Sequence, residues 1–506
     1  MTTDFDVVVV GFGPAGVVAS CLFGQAGLRT LAIDKSHTVW DKPRAIAIDH
    51  EILRVLQNLG VAEAVLPFTA PFPASEHFGV DGQLIRRVDM VPPPYPLGYV
   101  PSMVFTQPPV EAALRAHAAR YPSVEIALGV EFLSLEQDAS EVRLRMTDAA
   151  GAMREVSAKY VVACDGASST VRQSLGIGFE DLVFDEPWMV IDLKVNPSGL
   201  AKLPSNAAQY CQPSRPSTFI VGPGDHRRWE IMLLPGEDAR AMERPDQVWR
   251  LLSPWLTPQD GELWRATSYR FHALVATEWR RGRVFLAGDA AHQQPPFIGQ
   301  GMCQGIRDVA NLGWKLCGVL AGEADDGLLD SYGEERGRHV RTLTARIKAI
   351  GHGICERDPV AARLRDATLI AQGGGQALTV TRQEIVPRLE AGLLAEADHA
   401  ARGTLFPQPW IVANDEVRRL DELAGTGWRI MLDGRHADAS LRVEGASTIA
   451  IGPRGLVERD GVVADWFDRH GCAGAIVRPD HYVYGVLTKT TEATTMLAQL
   501  QRRLGR

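Results

Sequence analysis

Cysteine is scarce in this chain: seven in 506 residues, an odd number with no C-x-x-C pair. Thiols scattered in this way exclude a disulfide framework and a structural zinc site, and they fit a reducing, cytoplasmic setting. No metal site is expected. No apolar run approaches the ~20 residues of a membrane span. Basic blocks are missing too, with 53 Lys and Arg against 61 Asp and Glu and a net charge of -8. Nucleic acid and anionic membrane surfaces are therefore poor partners. The opening MTTDFDVVVVGFGPAG has neither a positive n-region nor a small-residue cleavage site, so no signal peptide is expected. Internal repeats and low-complexity tracts are absent. What remains, 45% hydrophobic and 23% charged, is a soluble globular profile. The chain is too long for one ordinary core, and two or three domains are expected.

Three stretches carry chemistry. In the first, Phe5 to Val10 reads as a buried parallel strand, followed by Gly11, Gly13 and Gly16 in the G-x-G-x-x-G spacing. A helix then runs from about Ala15 to Ala26, and LRTLAID ends a second strand at Asp34. The first glycine allows the tight turn, the second lets a pyrophosphate approach, the third lets helix and strand pack, and the acid holds a ribose hydroxyl. This marks a dinucleotide site without separating FAD from NAD. In the second stretch, YVVACDGASSTVR, a buried strand ends in Asp165-Gly166, with Arg172 placed to bracket polar groups at a cofactor edge; a plain Asp-Gly turn is the other reading.

The third stretch, Arg283 to Leu316, is the one the rest is organised around. A strand, Val284 to Ala287, breaks at Gly288-Asp289; a Pro- and Gly-rich loop, His292 to Gly301, leads into a helix patterned by Ile306, Val309, Leu312 and Leu316. Backbone N–H groups at such a helix start face an anion. Asp289 cannot hold phosphate, so a ribitol or ribose hydroxyl is its expected partner. Gly299 and Gly301 let the backbone approach a flat ring system.

Between these stretches other residues offer two readings each. Arg44 either forks onto a pyrophosphate or is a solvated loop residue. Asp49 and His50 precede the helix Glu51 to Leu59 and suit N-caps. Gln107 touches a cofactor or caps a helix. From Phe184 to Phe271 strands and turns alternate as in an inserted antiparallel sheet that walls a pocket. Tyr210, Trp229, Met232 and Tyr269 are pocket candidates or plain strand core. The region after Pro407 alternates strand and helix signals and reads as a small α/β domain.

GFGPAG, the CDG segment ending at Arg172, and GDAAHQQPPFIGQG, in that order, resemble the single-component FAD-dependent aromatic hydroxylases, the group A flavoprotein monooxygenases. PRAIAIDHE, GQGMCQGIRDVANLGWKL and VRPD are similar to the 3-(3-hydroxyphenyl)propionate hydroxylase branch. The resemblance implies an α/β fold: a Rossmann-like FAD-binding domain over 1–75, 100–180 and 272–350, and an inserted p-hydroxybenzoate hydroxylase-like substrate sheet over 76–99 and 181–271. A helical connection over 351–403 and a thioredoxin-like domain over 404–506 complete it. It places Gly11, Gly13, Pro14, Ala15, Gly16, Asp34 and Lys35 on the ADP half of FAD, and Arg44 and Gln107 near the pyrophosphate and ribityl chain. Asp165, Gly166, Gly288 and Asp289 match the two acidic motifs, and Pro296, Gly299, Gly301 and Met302 line the flavin. Cys303 stands where many relatives carry Asn.

The implied reaction is hydroxylation of a phenol ortho or para to its hydroxyl, with FAD, NADH or NADPH and O₂, through a flavin C4a-hydroperoxide, in aromatic catabolism. A phenol is mostly protonated at neutral pH, with a pKa near ~10. Asp49 or His50, placed by the resemblance beside the flavin, is the expected base. A propionate-like carboxylate would want an arginine, with Arg215, Arg227 and Arg228 as candidates. The resemblance also implies a homodimer. The alternatives are a flavoprotein dehydrogenase, epoxidase or halogenase of the same fold, or a non-catalytic flavin-binding protein.

Overall fold

The computed structural model describes residues 3–413, 416–436, 446–489 and 492–505. Among them, two large sheets frame the site. The first is eight-stranded. Its spine is parallel, in the order Val284–Leu286, Met153–Ala163, Phe5–Val10, Thr30–Asp34, Val124–Leu128. Phe5–Val10 is FDVVVV, and its last four residues are buried, as a central strand covered on both faces must be. The helix Pro14–Gln25 follows at once, with proline in its first turn where no N–H is missed. It packs on the long helix Gly301–Leu320.

The second sheet is nine-stranded among the described residues. Its order is His292–Gln293, Gly261–Ala276, Phe179–Val195, His226–Met232, Ser217–Val221, Ala207–Tyr210, Ser75–Phe78, Leu84–Asp89, Leu378–Thr381. Two edges differ from the sequence reading. Phe179–Val195 and Gly261–Ala276 pair along nearly their whole length, so the sheet runs past the expected limits of 181 and 271. Leu378–Thr381, inside the segment read as helices and loops, adds a parallel edge strand beside Leu84–Asp89. Four residues behind a glycine run are too few to show a period.

This sheet has two unlike faces, because side chains alternate along each strand. Trp229 and Ile231 join Met189, Ile191 and Phe219 in an apolar core on one side. Arg228 and Glu230 of the same strand face the other side.

The C-terminal domain has a four-stranded sheet in the order Ser447–Ile451, Arg429–Asp433, Gly474–Val477, Val483–Leu487. The first pair is parallel, the other two antiparallel, and the helix Ala493–Arg503 closes it. This is the expected thioredoxin-like arrangement. It docks on the N-terminal part of the chain through buried charges. Arg54 grips Asp421 with two bonds of 2.6 and 2.9 Å. Arg478 meets Glu335 at 2.7 Å, and Lys315 meets the same carboxylate at 2.9 Å. No described helix is long and apolar enough to cross a membrane. All seven cysteines are free thiols, five buried and two half-buried.

Candidate active site

Between the two sheets lies a cavity of about 490 Å³. The three chemical stretches of the sequence meet on one of its walls. Gly13, Pro14 and Ala15 come from the first turn, Gly166 from the second, and Gly288, Asp289, Pro296, Gly299, Gly301 and Met302 from the third. Arg44 and Gln107 complete this wall.

The glycines divide into two kinds. A Cβ on Gly11, which sits at φ +95°, would land on the Cys164 carbonyl, and one on Gly16 would land on the Gly11 carbonyl. Both are packing positions behind the cavity. Gly13, by contrast, has no atom within 4 Å of where its Cβ would be. It is the N-cap of Pro14–Gln25 and offers no side-chain cap, so the N–H groups of that helix start stay free for an anion. Asp34 closes the next strand and accepts N–H bonds from Phe12 and Ser36, both at 2.7 Å. Asp34 and the exposed Lys35 lie beyond the cavity lining.

The acidic motifs are tied together. Asp165 accepts the Val171 N–H at 3.1 Å, burial raises its carboxyl, and its second oxygen is buried without a partner. Arg172 donates to the carbonyls of Ala167 at 3.3 Å and Ala290 at 3.2 Å, bridging the Asp165 and Asp289 turns. The Gly288 N–H is held at 2.9 Å by Asp308, which also binds His292 at 2.7 Å and Arg336 at 2.9 Å. Asp289 itself opens into the cavity, and the surrounding protein raises its carboxyl.

Gln107 accepts the N–H groups of Arg44 at 2.9 Å and Ala45 at 2.7 Å, so its amide oxygen shapes the Arg44–Ala45 backbone. The Arg44 guanidinium lies over Trp40 at 5.7 Å and lines the cavity. At the far end, Gly301–Leu320 begins with Gln300 and no side-chain cap, which leaves a second set of N–H groups free. Gly299, at φ +61°, lies so close to Ala47 that a Cβ would press on it at 2.9 Å.

Residues 4–347 match the family model described as FAD binding domain, and 403–503 match the HcaD C-terminal domain. The chain belongs to the single-component FAD-dependent aromatic hydroxylases. It is 35% identical over 512 residues to a probable NADH-specific resorcinol 4-hydroxylase of Rhodococcus jostii, covering 98% of this chain and 94% of that one. It is 33% identical over 531 residues to a 3-(3-hydroxy-phenyl)propionate/3-hydroxycinnamic acid hydroxylase of Mycobacterium sp. (strain JLS), covering 98% and 92%. Among solved structures, aklavinone-11 hydroxylase with FAD and aklavinone aligns at a TM-score of 0.82 and 25% identity over 100% of both chains. The flavin-dependent monooxygenase PieE shares the fold at a TM-score of 0.82 and 21% identity, covering 99% of this chain and 100% of that one. The site fits FAD on its own geometry: an open glycine at one uncapped helix start, a second uncapped start, and a carboxyl free to accept ribityl hydroxyls.

Other expected residues lie elsewhere. Asp49 and His50 do not line the cavity. Asp49 caps the helix His50–Asn58 through the Ile52 N–H at 3.2 Å and is ion-paired to Arg307. His50 is buried, and desolvation lowers its pKa to about 4. Trp229 is fully buried in the core on the other side of the sheet, and Tyr210 stacks on Phe78 at 5.8 Å beside the same core. Met232 has the parity of the cavity face, but it pairs with Trp188 where the apolar core closes over it. Arg215 is spent on Glu237 at 2.7 Å, and Arg227 on backbone carbonyls. Arg228 does line the cavity. It is locked to Asp192 at 2.8 Å and to the Arg44 carbonyl at 2.7 Å, and so holds the backbone at Arg44. Tyr269 also lines it and bonds Arg265.

The sheet wall holds residues that the sequence reading missed: His77, Arg86, Gln209, Thr218 and Glu230. The one available signal was parity. In HRRWEIM the charged Arg228 and Glu230 alternate with Trp229 and Ile231, which sets a polar face against an apolar one.

Proposed function

We propose that the protein hydroxylates a phenolic ring ortho or para to an existing hydroxyl, using FAD, NADH or NADPH and O₂, in cytoplasmic aromatic catabolism. The carrying observation is one cavity with flavin-type turns on one wall and a mixed apolar and polar sheet on the other. The relatives named for resorcinol and for 3-hydroxyphenylpropionate point to phenols, and the first of them to NADH. Bound there, FAD would supply hydride acceptance and dioxygen chemistry.

The chain's own residues bind, orient and keep the site dry. Gly13, Pro14 and Ala15 would hold the ADP half at the helix start that Gly11 and Gly16 shape from behind, Asp34 would meet the ribose beyond the cavity lining, and Arg44 would meet the pyrophosphate. Asp165, Gly166, Gly288 and Asp289 would hold the polar chain, and Pro296 to Met302 would line the ring. Phe297 packs edge-on against Trp188 at 5.7 Å and Phe271 at 6.0 Å, an aromatic floor that excludes water. The test is NADH and oxygen consumption across substituted phenols, with products identified by mass spectrometry. A product heavier by one oxygen, formed only with a phenol present, is expected. NADH oxidation that yields no hydroxylated product from any phenol would sink the reading.

A further inference from the structure

One row of side chains crosses the sheet wall from strand to strand. Glu230 is the direct register partner of Thr218, Thr218 of Gln209, Gln209 of His77, and His77 of Arg86. Direct cross-strand partners stand on the same face, and all five line the cavity. The row thus has an acid at one end, a cation at the other, and neutral hydrogen-bonding groups between.

Both ends lack partners. Glu230 is 3% exposed, and no hydrogen bond or ion pair reaches its carboxyl among the described residues. Two cations, Arg228 and Arg265, act on it only through space: the Arg228 guanidinium is held by Asp192 at 2.8 and 3.1 Å, and that of Arg265 by the Pro43 carbonyl. Burial raises Glu230 to about 7. Arg86 likewise has no hydrogen bond or ion pair among the described residues, and its Nε is buried.

Its neighbours show the contrast. Arg87 pairs with Glu76 at 2.7 Å and Asp89 at 2.8 Å, Arg365 with Asp366 at 2.6 Å, and Arg270 with Asp185 at 2.6 Å. Arg382, also on the cavity, bonds the Ile298 carbonyl and lies over Phe72 at 5.0 Å. His77 adds no charge, since burial and Arg86 hold its pKa down at about 3. Thr218 donates to the Gln209 amide oxygen at 2.5 Å, which leaves the Gln209 NH₂ free for a ligand.

A buried guanidinium without a counter-charge is costly, and a ligand carboxylate recovers that cost at Arg86; a buried carboxyl without a hydrogen-bond donor is likewise costly, and a ligand O–H supplies the donor at Glu230. The spacing selects the ligand further. Glu230 and Arg86 are four strand steps apart, and at ~4.8 Å each their backbones are about 19 Å apart. A ligand touching both must be extended: a ring plus a side chain, not a bare dihydroxybenzene. Orientation follows from Arg228, which bonds the Pro43 and Arg44 carbonyls of the flavin-side wall and puts the Glu230 end next to it.

We propose that this row reads a phenol carrying a carboxylate on a short side chain, the carboxylate at Arg86 and the phenolic hydroxyl at Glu230. This rests on the hydroxylase reading above. The phenol O–H bond breaks, its proton goes to the Glu230 carboxylate, and the electron pair stays on the phenolate oxygen that activates the ring. A general base tuned near the working pH suits that transfer.

The test uses the FAD-loaded enzyme with 3-(3-hydroxyphenyl)propionate, its neutral carboxamide, and ring-fluorinated acids with more acidic hydroxyls. The wild type should prefer the acid over the amide. Arg86→Gln should raise KM for the acid at least tenfold more than for the amide, and Arg86→Lys should recover part of it. Glu230→Gln should lower kcat on the acid about 10²-fold, with the loss shrinking as the phenol becomes more acidic. Flavin content and melting temperature verify that each variant is folded. Equal KM changes for acid and amide, or a Glu230→Gln loss that ignores phenol acidity, would overturn the proposal while leaving phenol hydroxylation intact. A wild type that hydroxylates no phenol would remove the hydroxylase reading, and this proposal with it.

Discussion

Tyr482 of the C-terminal domain donates its hydroxyl to Glu51 at 2.8 Å, in the first turn of the helix that Asp49 caps. Glu51 in turn accepts from Arg307 at 2.5 Å, and Arg307 also holds Asp49 and, at 2.8 Å, the Gln300 amide oxygen. One guanidinium therefore ties the thioredoxin-like domain to the residue just before the Gly301 helix start on the cavity. Asp49 is a member of this lock: burial works to raise its carboxyl, but the Arg307 guanidinium lowers it further and keeps it ionised and committed.

Arg307→Met strands two buried carboxylates and should cost about 3–5 kcal/mol, seen as a lower urea midpoint and weaker flavin retention. Asp49→Asn should cost less, because Asn still caps a helix, and should leave the pH profile of turnover in place. A displaced acidic limb in that variant would return Asp49 to the chemistry.

Gly16→Ala should damage the protein with or without flavin, since its Cβ collides with the Gly11 carbonyl. Gly13→Ala should keep the apoprotein's melting temperature, because nothing lies near that Cβ, and lose flavin affinity instead. Absorbance at the flavin band together with thermal melts separates the two outcomes.

The local parts of the site were legible in the sequence, because a strand, a glycine turn and a helix start are neighbours in the chain. Gly13, Gly166 and Gly288 were found in that way. The sheet wall was not, because strand pairing sets Gln209 beside His77 and Glu230 beside Thr218 across long stretches of chain. Trp229 was attractive for its size, but its odd parity relative to Arg228 and Glu230 sends it to the opposite face. His50 looked titratable in the chain, and only its burial shows that it stays neutral.

Glu335 answers two buried cations, Arg478 and Lys315, and its pKa is held down at about 2 by them against desolvation. Its stabilising contribution is present above the usual 4.5 and is lost as pH falls toward 2. Glu335→Gln should cost about 3–5 kcal/mol at neutral pH and flatten that acid-side loss. Denaturant titrations at pH 7 and pH 3 would show both effects.

Buried histidines should act earlier in the acid range. His50 is lowered to about 4, His77 to about 3, and His339 and His481 well below the usual 6.5, in each case chiefly by desolvation. Below pH 6.5 the unfolded chain takes up protons that the folded chain refuses, so stability falls as pH drops. The slope is up to about 1.4 kcal/mol per pH unit for each histidine. Urea midpoints between pH 7.5 and 4.5 should show this decline, and His50→Asn should reduce it. A flat profile across that interval would contradict the assignment of neutral histidines.

Burial pushes the thiols of Cys21, Cys211 and Cys317 up to about 12 and that of Cys472 to about 11. Only the thiolate attacks an oxidant, and at neutral pH these sulfurs hold almost none of it. A protein that spends its working life beside dioxygen and a reduced cofactor is thereby resistant to sulfenylation. It should keep its full thiol titre through prolonged turnover with no added reductant, and lose activity by other routes first.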